Sequence, residues 1–133
     1  MTQFPFSLHD AEIRSLECDR FKKTASGIFQ LPDSSYIQID FKGVEYYRAT
    51  DFIMQNVVAR HIIFDEQNGG YEDIFDKLEW LTSLEGCQSF LNDESKEKFF
   101  TAIQRGQYKL SYFEPSWGCE LAVLYEKLSY KTF

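Results

Sequence analysis

The stretch "NVVARHIIFDEQNGGYEDIFDKLEWL", residues 56–81, changes its hydrophobic period half-way along, and that change decides the fold. Its first part is a short, almost continuous apolar run rich in β-branched residues and closed by Glu66-Gln67-Asn68-Gly69-Gly70. Such a run reads as a strand lying centrally in a sheet with both faces covered. From Tyr71 the pattern is different: Tyr71, Ile74, Phe75, Leu78 and Leu81 fall at i, i+3, i+4, i+7 and i+10. One apolar stripe of that spacing is the mark of an amphipathic helix. It predicts a helix over about 71–84, with Gly86 near its stop.

Outward from this point the chain is strand-rich on both sides. "YIQIDF" (36–41) alternates Ile37, Ile39 and Phe41 with Gln38 and Asp40, so a period of two puts one apolar face inward. "SGIFQLPDSSY" (26–36) before it reads as a strand and a turn, giving a hairpin. Lys42-Gly43 then breaks the alternation, as a tight turn or a glycine bulge would. A second helix over about 93–105 starts at Asn92 or Asp93, buries Phe99, Phe100 and Ile103, and ends at Gly106. "QYKLSYFEPSWGCELAVLYEKLSY" (107–130) alternates on both sides of Pro115-Ser116-Trp117-Gly118 and reads as a C-terminal hairpin. Strands, two helices, then strands predict an α+β fold. The expectation is a mainly antiparallel sheet of about 6–7 strands with both helices on one face, residues 1–133 forming a single domain.

Bulk properties narrow the function. Of the 133 residues 44% are hydrophobic and 26% charged, a globular balance, and 17% are aromatic, more than enough rings to fill a core. The net charge of −7 and the lack of a Lys/Arg stripe argue against nucleic acid and against an anionic membrane. No apolar run approaches the roughly 20 residues that span a bilayer. The N-terminus shows no signal peptide, and Cys18, Cys87 and Cys119 form no C-x-x-C pair, so the expected compartment is the cytoplasm.

Candidate chemistry is thin. His9-Asp10 resembles a catalytic or metal-binding doublet, but residues 10–19 read as a strand, which sends neighbouring side chains to opposite faces. A helical alternative remains, since Ser7 and Asp10 have capping-box spacing. His61 is in phase with Val57, Ala59 and Ile63, which suits a hydrogen-bonded core residue better than a ligand. Two histidines and scattered cysteines imply no metal site and no cofactor. Cys119 has no basic neighbour in sequence to activate a thiolate.

The most unusual feature is acidic. Asp65, Glu66, Glu72, Asp73, Asp76 and Glu79 face a single Lys77, and Glu72, Asp76 and Glu79 share one stripe of the helix. Such a surface suits a basic protein partner, because complementary charge speeds encounter and excludes wrong partners.

Four stretches, "HDAEI" (9–13), "FKGVEYY" (41–47), "DFIMQNVV" (51–58) and "YFEPSWGCELAVLYEKLSY" (112–130), together resemble small bacterial α+β proteins, largely uncharacterised. Some of these are regarded as immunity proteins of toxin systems. The resemblance implies a cytoplasmic inhibitor that occludes a toxin domain, often a basic nuclease, and supplies no catalytic residues.

Three readings follow. The first is a non-enzymatic, immunity-type binding protein whose surface is Asp65, Glu72, Asp73, Asp76 and Glu79. The second is a small-molecule module or enzyme with an aromatic-lined pocket on the sheet involving His61, Tyr46 and Tyr112. The third is an assembly role as a homodimer through a sheet edge.

Overall fold

The computed structural model describes residues 4–84 and 88–133; Gly86 and Cys87 lie outside the described residues. In chain order the elements are β1 (Glu12–Asp19), β2 (Thr24–Gln30), β3 (Tyr36–Lys42), β4 (Tyr46–Thr50), β5 (Val57–Phe64), α1 (Tyr71–Leu81), α2 (Asp93–Gln104), β6 (Lys109–Trp117), β7 (Glu120–Tyr125) and β8 (Lys127–Thr132). The fold is α+β, and every strand pair is antiparallel. The sheet has eight strands in the order β4-β7-β6-β5-β1-β2-β3-β8, rather than the six or seven expected.

The extra strands have a local cause. Ile37 to Lys42 pair with Thr132 to Lys127, and Tyr46 to Thr50 pair with Leu124 to Glu120. Between these two ladders Gly43, Val44 and Glu45 oppose only Tyr125 and Glu126, which is a β-bulge. Backbone bonds carry the pairing across it, from Glu126 N to Lys42 O at 3.0 Å and from Glu45 N to Leu124 O at 2.9 Å. Gly43 has φ +66, and a Cβ there would sit 2.6 Å from the Glu126 side chain, so the bulge requires glycine. One bent ribbon is thereby counted as four strands. Residues 127–132 accordingly leave the expected C-terminal hairpin and pair with β3. Because β4 and β8 end the strand order yet belong to this one ribbon, the sheet curls back on itself.

The curled sheet has an inner and an outer face. The inner face buries Ile13, Phe29, Ile37, Ile39, Phe41, Val58, Phe113, Leu121, Val123 and Tyr125 in one cluster. Phe29 stacks on Phe113 at 5.3 Å, and Phe41 meets the edge of Tyr125 at 4.8 Å. Burying each such ring stabilises the fold by about 1.5–3 kcal/mol. On the outer face α1 and α2 cover one region, where Ile74, Leu78, Leu81 and Ile103 pack against Phe64, Leu110, Tyr112, Ala122 and Leu124.

The helices fall close to their expected bounds. α1 stops at Leu81 rather than 84, because Thr82 Oγ1 donates to Leu78 O at 2.7 Å and Arg48 takes the Trp80 carbonyl at 2.7 Å. α2 is capped by Asn92, whose side chain accepts the Ser95 N–H at 2.8 Å. β5 is central, between β6 and β1, but its outer face is covered only towards Phe64, and Arg60 is exposed. No helix among the described residues is long and apolar enough to cross a membrane.

Candidate functional site

α1 carries the acidic surface. Ile74, Leu78 and Leu81 anchor it to the sheet, and the 3.6-residue period then turns Glu72, Asp73, Asp76 and Glu79 to solvent, where all four are exposed. Glu72 and Asp73 also lie in the first turn, where the helix dipole favours negative charge. Nearby lysines are already engaged. Lys77 Nζ is 3.4 Å from Asp76 and lies 4.2 Å over the Tyr112 ring. Lys96, almost wholly buried, bridges Asp93 at 3.3 Å and Glu79 at 3.8 Å. α2 adds exposed Asp93, Glu94 and Glu97, and the Tyr71 hydroxyl donates to Glu97 to join the helices.

Asp65 stands apart from this stripe. It is half-buried in the turn after β5, where Oδ1 accepts the Gln67 N–H at 2.9 Å and its backbone bridges Asn68. Its chemistry is spent on shaping the loop.

His61, Tyr46 and Tyr112 do not share a pocket. His61 points inward, stacked on Phe113 at 4.1 Å, with Nε2 3.0 Å from Ser111 Oγ, which in turn is 2.8 Å from the Tyr125 hydroxyl. Burial pushes its pKa down to about 3, so the imidazole is neutral. Its expected phase with Val57 is lost, because register shifts on both sides of Val58 place Val58 in the inner cluster instead. Tyr112 and Tyr46 belong to the outer face. Tyr112 donates to Glu120 at 2.6 Å, and burial followed by Glu120 raises its pKa, while Tyr46 packs on Phe90 and Phe99. Beside Tyr112 an open cleft of about 320 Å³ is lined by Arg60, Asp73, Lys77 and Glu114, its strongest pair being Arg60–Glu114 at 2.7 Å.

The remaining candidates take structural roles. Residues 9–10 form a turn before β1 rather than part of the strand, so their side chains are not sent apart: His9 Nε2 is 3.4 Å from Asp10 Oδ2, and both are exposed. His9 Nδ1 is 2.9 Å from the Ala59 carbonyl, and Asp10 turns the chain at φ +63. The doublet therefore fastens the start of β1 to β5, where the ladder itself registers only Glu12 with Val57. Burial pushes the Cys119 thiol up to about 11, against thiolate chemistry, and Cys18 is exposed. Among the described residues no three His, Cys, Asp or Glu side chains are placed to hold a metal ion.

One feature was missed from the sequence. Phe52, Ile53 and Met54, in the loop between β4 and β5, are exposed, Met54 completely, and Trp117 at the β6–β7 turn is 61% exposed. The only sequence signal is three consecutive large apolar residues between Asp51 and Gln55, which periodicity cannot assign to a surface.

No protein-family model matches the chain, and no curated protein or solved structure matches it either. Fold and site together define an acidic α+β protein with a curled antiparallel sheet and a carboxylate-lined helix on its outer face.

Proposed function

We propose that this chain is a non-enzymatic binding protein, most concretely an immunity-type inhibitor acting in the cytoplasm, whose α1 face docks on a basic protein and occludes its active site. The observation that carries this reading is the row of Glu72, Asp73, Asp76 and Glu79, all exposed along one helix whose single lysine, Lys77, lies over the Tyr112 ring. A partner rich in lysine and arginine gains from that row in two ways: faster encounter, and rejection of acidic competitors. The net charge of −7 supports the same direction. Occlusion needs no nucleophile, metal or cofactor, consistent with a neutral His61 and a protonated Cys119.

The test is association with the purified product of the adjacent gene, followed by calorimetry at about 50 and about 300 mM salt. The expected outcome is binding that weakens with salt and falls at least about tenfold in the triple variant Glu72→Lys, Asp76→Lys, Glu79→Lys. Unchanged affinity in that variant overturns the reading.

A further inference from the structure

Trp117 and the loop 51–56 lie on the same outer face as α1, in the part the helices leave uncovered. Along β6, Tyr112 and Glu114 pair with Ile62 and Arg60, and after the register shift Trp117 pairs with Val57. Successive strand residues advance about 3.3 Å, so Trp117 lies roughly 15 Å beyond the helix-covered Tyr112 on one continuous surface. Ile53 adjoins the Trp117-Gly118 turn, since a Cβ on Gly118 would come within 3.1 Å of Ile53 Cγ1, and Phe52 and Met54 flank Ile53 in the chain.

This exposure is enforced rather than slack. Asn56 is 1% exposed, and its Oδ1 accepts the Ile53 N–H at 2.9 Å and the Cys119 N–H at 3.1 Å. Its Nδ2 donates to Ile53 O at 2.7 Å, while its own carbonyl accepts the Ile13 N–H at 2.8 Å. One buried side chain thus locks the loop to the β6–β7 turn and holds four large apolar side chains in water. Large exposed apolar patches on a rigid frame mark interaction sites, and Trp is enriched among the residues that dominate binding.

The rim identifies the occupant. Glu12, next to Val57 across the sheet, joins Asp51 and Glu120 beside the patch, while Arg60 and Glu114 neutralise each other. An anionic bilayer is repelled by that rim, and a second copy would set the same carboxylates against themselves. We infer that Phe52, Ile53, Met54 and Trp117 are the apolar anchor of the docking face, entering an apolar pocket that a protein partner surrounds with lysine or arginine. This rests on the acidic-face reading above and specifies what else the partner must carry.

Two synthetic peptides of equal length and charge test it by amide NMR on the isotope-labelled protein. One contains only lysine and glycine, and the other replaces central glycines by leucine and phenylalanine. The apolar-centred peptide is expected to move the amide signals of residues 51–56 and 117–119 and to bind at least about tenfold more tightly. Met54→Ser and Trp117→Ala should each abolish that gain while leaving the lysine–glycine affinity and the thermal midpoint unchanged, since both side chains are exposed and neither change alters the charge. A gain that survives both variants, or signals at 51–56 that stay still, overturns the anchor. So does binding of the loop to phosphatidylglycerol vesicles, or a concentration-dependent dimer that the two variants abolish. Loss of lysine–glycine binding with the apolar-centred peptide still bound at the loop counts against the acidic face and leaves the anchor standing.

Discussion

His61 and Tyr112 sit on neighbouring strands, yet they show how differently the two faces of one sheet treat a polar ring. His61, on the inner face, is stacked on Phe113, bonded to Ser111 and held neutral by burial. Tyr112, on the outer face, carries Lys77 over its ring, donates to Glu120 and feels Asp76 and Glu114. The inner polar group completes a packed core, while the outer one sits where the charged surface begins. Burial without charge partners holds His61 neutral, whereas Tyr112, buried just as firmly, is ringed by Lys77 and carboxylates.

The sharpest way to break this contrast is Phe113→Ala. It removes the ring that stacks on both Phe29 and His61, and should cost about 3–5 kcal/mol in denaturant unfolding. Asn56→Ala comes next, at about 1–3 kcal/mol, because the buried Cys119 N–H and the partly buried Ile53 N–H lose their acceptor. Hydrogen exchange should then accelerate at residues 51–56, a readout that Phe113→Ala does not produce selectively.

Acidity provides a subtler probe. The folded pKa of His61 lies below its unfolded value near 6.5, so the unfolded chain binds the extra proton first. Its contribution is fully present above about pH 6.5 and is lost as pH falls towards 3, at up to about 1.4 kcal/mol per unit. Unfolding measured between pH 7 and 5 should show this slope, and His61→Gln should flatten it; an identical slope in the variant would refute the assignment. The smallest effect belongs to the outer face. Arg60→Ala breaks an exposed, solvent-screened ion pair with Glu114 and should leave the denaturant midpoint almost unchanged.

These contrasts also explain what the sequence could and could not convey. The switch of period near Gly70 and the hairpin around Pro32-Asp33 depend on neighbours in sequence, and both stand in the structure. The strand break at Glu126 shows in the sequence only as the polar pair Glu126-Lys127, across which the inward phase moves from Leu121, Val123 and Tyr125 to Leu128, and its cause lies on the partner at Gly43. The stripe Glu72, Asp76, Glu79 was legible from helical spacing alone. Grouping His61 with Tyr46 and Tyr112 failed because shifts around Val58 reset the phase on which such grouping depends. The exposure of Phe52, Ile53 and Met54 was invisible for another reason: what holds them out is Asn56 bonding Cys119, 63 residues away.

The bent ribbon has a consequence in time as well as in shape. The outer edge of β3 and the whole of β4 cannot find their partners until residues 120–132 have been made and brought back, so the contacts that curl the sheet are among the most distant in the chain. Long-range pairing of this kind slows folding, because loop closure must precede any reward. Until then the β2–β3 hairpin waits with the outer edge of β3 open, a nascent chain able to recruit a neighbour's strand.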